Sequence, residues 1–238
     1  MTHRVSRATL TSQIEDALRL DIIEGVLAPG QRLPSAGLTE RYEVSATPLR
    51  EALQRLSAQN LVEIDPRFGA TVARISRADL RDTYWLREVL ERRALERSIE
   101  RGDDAWRERV TQAFEAFRKA ARPSPEETAE GALSWSRVHR EFHEALFAAC
   151  DSDWLRRMLA TLYDHSERYR MLSRRTGARD TMHEHAAVFD AAMEGRTADA
   201  AQALGDHLQK TVALLESTIL AFDDPVTPEE SKADGRGI

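Results

Sequence analysis

The sequence contains few cysteines, glycines, prolines and aromatic residues, and each shortage excludes a class of protein. Its one cysteine, Cys150, cannot form an internal disulfide bond, which excludes a disulfide-stapled scaffold and agrees with a reducing compartment. With 11 glycines, 8 prolines and 6% aromatic residues in 238, the composition favours helices over a sheet-rich fold. No apolar run reaches the length of a membrane-spanning helix, and no apolar core follows the basic residues of the N-terminal segment. We therefore expect a cytoplasmic, mainly helical protein with no membrane partner.

A positive net charge is also missing. The formal net charge is −6, which by itself does not indicate binding to nucleic acid. The charge that DNA meets, however, is that of the docking face and not that of the whole chain. Residues 1–77 contain ten arginines and nine acidic residues, so this part is about neutral and the remainder carries the acidic excess.

The first third of the chain shows helical and strand patterns in a defined order. Apolar residues at helical spacing predict three helices, over 10–24, about 35–42 and 45–59. Two short β-type runs, 61–64 and 70–75, flank a stretch with proline and glycine, which predicts a β-hairpin. We expect residues 8–75 to form one domain of three helices and a hairpin, the order of a winged helix-turn-helix.

From residue 76 onward the patterns are helical. They predict six helices, over 76–101, 104–120, 132–150, 153–173, 180–194 and 197–221. The predicted breaks are at Gly102, within 122–128, near Cys150, at Gly177 and at Gly195. We expect residues 76–222 to form an all-helical bundle, and the polar, proline-containing residues 223–238 to form a disordered tail. The expected fold class is therefore mainly α.

The stretch VSATPLREAL has the features of a helix that reads DNA. Ser45, Thr47 and Arg50 lie in or beside its first turn, where small polar side chains and backbone N–H groups bind phosphate and an arginine reaches a base edge. The hairpin behind it, with Arg67 and Gly69 at its tip, would serve as a wing along the minor groove. The alternative is that Ser45 is only a cap and Arg50 a solvated surface charge.

Three motifs in this order resemble a known family. The stretches LRLDIIEGVLAPGQRL, VSATPLREALQRL and LVEIDPRFGATV resemble the winged helix-turn-helix domain of GntR-type bacterial transcription regulators, over about residues 10–75. The resemblance implies DNA contacts at the positions of Ser45, Thr47 and Arg50. It also implies that Gly69 is the glycine of the wing.

Two positions depart from the pattern of that family. Ala46 stands where an arginine is usual, and Ser35 stands where an acidic residue is usual. Losing an arginine that reads a base would cost about 1–3 kcal/mol of discrimination. Either the operator differs from that of the family or binding is weaker.

Two histidines in the second domain are spaced to share one helix face. His139 and His143 are four residues apart in a predicted helix, a spacing that lets two imidazoles bind one metal ion. Alone this is a weak signal, because most histidine pairs at that spacing are surface residues.

The rest of the chain resembles a second domain type. The stretches LRDTYWLREVLERRAL, VHREFHEALFAACDSDWLRRML and HEHAAVFDAAMEGRTADAAQALGDHL resemble the all-helical effector domain of the FadR-type branch of the same family, the FCD domain, over about residues 78–220. The resemblance implies four metal ligands: His139, His143, His185 and His207. His139 stands where the family usually has aspartate, so it is either a fourth nitrogen ligand or a lost ligand. Four nitrogen ligands would favour Zn²⁺ or Ni²⁺ over Mn²⁺ or Mg²⁺.

The same resemblance implies that Arg87 meets an acidic effector. A guanidinium holds a carboxylate through two parallel hydrogen bonds, so Arg87 and a metal would grip a small organic acid from two sides. The alternative is a surface ion pair between Arg87 and Glu91, worth only about 0.3–0.5 kcal/mol. Leu86, Val89 and Leu90 predict that nearby positions are buried, which favours the pocket.

These features together predict a ligand-responsive DNA-binding transcription regulator and not an enzyme. We expect a homodimer that binds a palindromic double-stranded operator, senses a small carboxylate and represses transcription. One alternative is a metal-dependent helical enzyme, but Glu141 points away from the histidine face and Glu144 is not in a His-Glu-x-x-His arrangement, so a general base is missing. The other is a metal-free regulator that binds an acyl thioester, which the four histidines disfavour.

Overall fold

A computed structural model describes residues 10–120, 129–172 and 181–219. Within these ranges the chain forms nine α-helices and three short β-strands. In chain order they are α1 (Leu10–Ile23), β1 (Arg32–Leu33), α2 (Ser35–Arg41), α3 (Ala46–Ala58), β2 (Val62–Asp65), β3 (Gly69–Val72), α4 (Arg77–Arg101), α5 (Asp104–Lys119), α6 (Ala129–Phe147), α7 (Asp153–Leu172), α8 (Met182–Met193) and α9 (Thr197–Ile219). The predicted breaks at 122–128 and Gly177 and the predicted tail at 223–238 lie outside the described residues.

The first three helices and the strands share one small apolar core. Apolar side chains four residues apart on α1 form a single buried stripe, as an amphipathic helix requires. Gly25 follows α1 with a φ of 75°, a left-handed conformation that suits the end of a helix. The core consists of Ile14, Leu18, Ile22, Leu27, Leu33, Leu38, Leu49, Ala52, Leu53, Leu56, Leu61, Val62 and Val72.

The three strands form an antiparallel sheet in the order β1-β3-β2. β2 and β3 make the predicted hairpin, with Val62 opposite Val72 and Asp65 opposite Gly69. Gly69 has a φ of 82°, which favours glycine at this turn. The strand β1 was not predicted, because two residues are too short to show an alternating pattern.

Helices α4 to α9 form the predicted all-helical bundle. The 25-residue helix α4 packs against α9, α7 and α6, and α8 packs against α9 and α5. The Ser76 hydroxyl accepts from the Asp79 backbone N–H (3.0 Å) and so starts α4, while Asp103 accepts from the Trp106 backbone N–H (2.8 Å) and starts α5. Aromatic residues fill much of the core: Trp106, Phe114, Phe117, Phe142, Tyr163 and Tyr169.

The predicted helix ends agree with the structure to within three residues. The largest difference is in α6, which begins at Ala129 and ends at Phe147, whereas the pattern predicted 132–150. In the three described ranges, no helix is long and apolar enough to cross a membrane.

One helix of the bundle, α7, contacts the first domain. His165 Nε2 lies 2.8 Å from the backbone oxygen of Gln59, at the end of α3. Two further contacts are the ion pair Arg19–Asp164 (3.0 Å) and a hydrogen bond from Arg168 to the backbone oxygen of Ala73. These contacts connect the position of α7 to the position of α3 relative to the bundle.

Candidate functional site

The first turn of α3 presents polar side chains to solvent. Four apolar residues bury the other face of the helix: Leu49, Ala52, Leu53 and Leu56. Ser45 is at the N-cap position, but its side chain makes no capping hydrogen bond. Ser45, Thr47 and Arg50 are all exposed. The hydroxyl of Ser45 and the N–H groups of the first turn therefore remain available to an anion such as phosphate.

The arginines of the first domain fall into two groups. Arg19, Arg41 and Arg55 form ion pairs with acidic side chains at 2.8 to 3.3 Å. Of the described arginines in this domain, four are exposed and form no ion pair: Arg32, Arg50, Arg67 and Arg74. These four include one on α3 and one at the hairpin tip, so both elements carry an exposed guanidinium although the domain as a whole is about neutral.

The tip of the hairpin has the composition of a minor-groove wing. Asp65 Oδ1 accepts hydrogen bonds from the backbone N–H groups of Arg67 (2.6 Å) and Phe68 (3.0 Å), which fixes the turn. The Phe68 side chain is 63% exposed, and the guanidinium of Arg32 lies 5.6 Å from its ring centre. Sequence reasoning missed Arg32, since only the strand β1 brings it beside the hairpin tip.

Four histidines meet inside the bundle. His139 and His143 come from α6, His185 from α8 and His207 from α9. All four are buried, and their ligand nitrogens lie within 4.8 Å of one another. Nε2 of His143 is 3.2 Å from Nε2 of His139 and 3.3 Å from Nε2 of His185. Nitrogens that share a tetrahedral Zn²⁺ at about 2.05 Å would be about 3.3 Å apart, so this donor set fits a metal ion.

Hydrogen bonds fix two of these rings in the form that binds metal. His185 Nδ1 donates to the backbone oxygen of Thr181 (2.7 Å), and His207 Nδ1 donates to Glu184 Oε2 (2.9 Å). A ring that carries its proton on Nδ1 keeps the lone pair on Nε2. Both rings can therefore present Nε2 to a metal.

The other two rings have charged neighbours of opposite sign. His143 Nδ1 lies 3.8 Å from Glu91 Oε2, just beyond hydrogen-bond distance. His139 Nδ1 lies 2.8 Å from a guanidinium nitrogen of Arg170, and its ring stacks on Trp135 at 5.1 Å. The surroundings of His139 are thus different in kind from those of the other three histidines.

The setting favours the neutral form of three of the four histidines. Burial lowers the pKa of His139, His143 and His185 well below the usual value, and the positive charges of neighbouring side chains lower it further. A metal binds the unprotonated nitrogen of a neutral ring, so burial favours the form of these three rings that binds metal.

Beside the cluster, Arg87 and Glu91 of α4 form an ion pair at 2.6 Å. Their side chains are 3% and 0% exposed. Arg87 also donates to Ser166 Oγ (2.9 Å), and its guanidinium lies 4.2 Å from the ring centre of Tyr163. Burial raises the pKa of the Glu91 carboxyl, and the adjacent guanidinium acts in the opposite direction.

Two sequence-based statements about this helix need correction. The ion pair between Arg87 and Glu91 does form, but in the interior and not on the surface. Leu86 and Val89, from which burial near Arg87 was predicted, are themselves 40% and 49% exposed, although Arg87 is 2% exposed as that prediction requires. The reason is helical geometry: Arg87 and Glu91 share one face of α4 at a spacing of four, and the two apolar residues fall outside that face.

Two family models match the sequence and together cover both domains. Residues 10–72 match the bacterial regulatory proteins of the gntR family, and residues 82–210 match the FCD domain. The chain belongs to the gntR family.

Relatives of this GntR-family protein extend over most of its length. It is 36% identical to the HTH-type transcriptional regulator BphR of Paraburkholderia xenovorans (strain LB400) over 200 residues, 83% of this chain and 82% of the relative. It is 30% identical to the HTH-type transcriptional repressor GlaR of Escherichia coli (strain K12) over 208 residues, 85% and 94% of the two chains. E. coli McbR/YncC has the same fold, with a TM-score of 0.74 at 22% identity over 89% of this chain and 99% of the other.

The predicted class of function is confirmed. This GntR-family protein is a DNA-binding transcription regulator and not an enzyme. FCD domains often bind metal ions, and the four-histidine cluster of this one could do so. Sequence reasoning missed the residues that form hydrogen bonds to the Nδ1 atoms of the cluster: Arg170, Thr181 and Glu184.

Proposed function

We propose that this regulator represses transcription as a homodimer and that a small organic acid, sensed at the histidine cluster, changes its affinity for operator DNA. The exposed start of α3 beside an arginine-bearing wing carries the DNA-binding part, with Ser45, Thr47, Arg50, Arg67 and Gly69 as the contacting positions. The name of the relative GlaR, a transcriptional repressor, supports repression. Two-fold symmetry of a dimer corresponds to two half-sites in a palindromic operator.

Zn²⁺ or Ni²⁺ is the metal that the cluster favours, because all of its ligand atoms are imidazole nitrogens. His143, His185 and His207 would hold it. When bound, the metal supplies a positive centre that attracts one oxygen of a carboxylate. His139 was also predicted to be a ligand. It differs from these three because its Nδ1 contacts the guanidinium of Arg170.

The contact between Arg87 and the effector stays a prediction. Nε of Arg87 donates to Glu91 and one terminal nitrogen donates to Ser166, which leaves the other terminal nitrogen for an anion. Glu91 in turn lies beside His143. Arg87 is thus connected to the metal cluster through one carboxylate, and a ligand there would affect both.

The helix α7 supplies a path from this site to the DNA-binding domain. Ser166 and Arg170 of α7 contact Arg87 and His139. His165 is next to Ser166 in the sequence, and its Nε2 contacts the backbone oxygen of Gln59 at the end of α3. An effector that moves α7 therefore changes the relative placement of the winged domains, and it shifts the population toward the arrangement that it binds better.

An exposed apolar patch on α4 supports the homodimer. Trp85 is 64% exposed, and Leu86 and Val89 of the same helix are 40% and 49% exposed. Apolar patches of this kind often mark protein interfaces. A second copy of the chain is the partner that a two-fold operator complex requires.

We expect the double variant Trp85→Glu with Val89→Glu to be monomeric, because two carboxylates in an apolar interface lose their hydration. Sedimentation velocity at micromolar concentration would show the apparent mass fall from two chains to one. Ala105→Glu, at an exposed position of α5, is the control and should leave the mass unchanged. A double variant that stays dimeric would place the interface elsewhere.

Arg50→Ala is expected to weaken binding to operator DNA about 5- to 150-fold, equivalent to about 1–3 kcal/mol, if Arg50 reads a base. The measurement is fluorescence anisotropy with DNA that flanks the gene of the protein, repeated over a series of salt concentrations. A base contact predicts loss of specific binding only. A phosphate contact predicts weaker binding to all sequences and a salt slope reduced by about one.

Arg118→Ala is the matched control for this variant. Arg118 is 57% exposed on α5 and pairs with Glu115. The variant therefore removes one arginine and leaves the first domain unchanged. Its affinity for DNA should equal that of the unmodified protein. Equal affinity in Arg50→Ala as well would show that Arg50 is a solvated surface charge.

A further inference from the structure

The hydrogen-bond partner of Nδ1 decides what Nε2 of a neutral histidine can do. If Nδ1 donates, Nε2 has a lone pair for a metal; if Nδ1 accepts, Nε2 carries the proton. His185 and His207 donate from Nδ1 to a backbone oxygen and to Glu184, respectively. His143 has the carboxylate of Glu91 on its Nδ1 side. Each of these three rings therefore has an oxygen atom on its Nδ1 side.

His139 has a donor in that position. An arginine has no acceptor atom, so at 2.8 Å the Arg170 guanidinium donates and His139 Nδ1 accepts. Arg170 is itself held by Glu167 at 3.2 Å and lies over the Trp135 ring at 5.3 Å. The proton of a neutral His139 is consequently on Nε2, the atom that faces the cluster.

We infer that His139 is not a metal ligand but a hydrogen-bond donor to the anionic oxygen of a carboxylate that takes the remaining coordination position of a metal held by His143, His185 and His207. The inference rests on the proposed metal site and assigns its ligand specificity. An N–H group backed by a guanidinium favours an anion over a neutral ligand. Three protein ligands and one open position are also the arrangement of zinc sites that bind a small molecule.

The test uses the full-length protein with Co²⁺, whose visible absorption changes with its ligands, and with acetate as the carboxylate. We expect His139→Ala to bind Co²⁺ within about tenfold of the unmodified protein, since no ligand is lost, whereas His143→Ala should lose more than about 100-fold. The acetate concentration that produces half of the spectral change should rise about 10- to 100-fold in His139→Ala, because a hydrogen bond to a charged group is lost.

Two conservative variants separate the donor role from packing. His139→Gln keeps an N–H in about the position of Nε2 and should retain acetate affinity within about threefold. Arg170→Met keeps the length of the side chain over Trp135 but removes the donor. His139 is then free to carry its proton on Nδ1 and to coordinate, so Co²⁺ should bind more tightly and its spectrum should no longer respond to acetate.

The outcomes distinguish this inference from the proposed function. A loss of Co²⁺ affinity in His139→Ala as large as in His143→Ala would make His139 a ligand and overturn the inference, while the metal site would stand. Unchanged acetate affinity in His139→Ala would also overturn it. No Co²⁺ binding by the unmodified protein would instead remove the proposed metal site itself.

Discussion

Replacing His143, His185 or His207 with alanine is expected to lower the affinity for Zn²⁺ more than about 100-fold. Loss of a residue that only orients a ligand costs about 10- to 100-fold, and these three would supply the ligand atoms. All three are buried, so each variant removes an imidazole nitrogen from the interior of the bundle and adds no side chain that could take its place. Competition with a coloured chelator measures the affinity of each variant.

His183→Ala is the matched control for the three ligand variants. His183 precedes His185 by two residues on α8, but its side chain is 71% exposed. Its removal should leave Zn²⁺ affinity unchanged. Thermal unfolding gives a second readout, because a metal at 1,000 times its dissociation constant stabilises the folded state by about 4 kcal/mol. With chelator present, the melting temperatures of the ligand variants should be close to that of the unmodified protein. If Zn²⁺ does not raise the melting temperature of the unmodified protein, the metal-free alternative would be favoured.

The winged domain could be predicted because its signals are local. The helix starts, the glycine turns and the hairpin each depend on residues within a few positions of one another. Ser45 illustrates the limit of that reasoning: the sequence places it correctly at the start of α3 but does not show that its side chain leaves the cap unbonded. Arg32 could not be placed at the wing, since its strand has two residues and Arg32 pairs with Thr71, 39 positions later.

The polar network of the bundle could not be predicted, because it depends on contacts between helices. The sequence suggested Glu91 only as the surface partner of Arg87 in the alternative to the pocket, since charged residues four apart usually lie on a surface. Arg170 gave no signal at all, as its contact with His139 crosses from α7 to α6. Glu184 gave a weak signal in the sequence, because it lies between two histidines. In the structure one of its oxygens accepts a hydrogen bond from His207.

Glu91→Ala is expected to lower the free energy of unfolding by about 3–5 kcal/mol. The variant leaves the guanidinium of Arg87 in the interior without its counter-charge, and a guanidinium does not shed its proton to avoid that cost. Urea unfolding in excess chelator measures the effect without any contribution from metal binding. Glu96→Ala is the control on the same helix: its partner Arg93 is 61% exposed, so the loss should be at most about 1 kcal/mol.

The double variant Arg87→Met with Glu91→Leu separates the cost of a lone charge from the value of the pair. Apolar residues of similar volume often replace a buried ion pair without loss, so most of the stability should return. The response of the bound metal to acetate need not return with it, because Glu91 is also the carboxylate beside His143. A double variant that is stable but no longer responds would show that the buried pair is retained for sensing. If Glu91→Ala costs no more than Glu96→Ala, the guanidinium finds another partner and Glu91 has no such role.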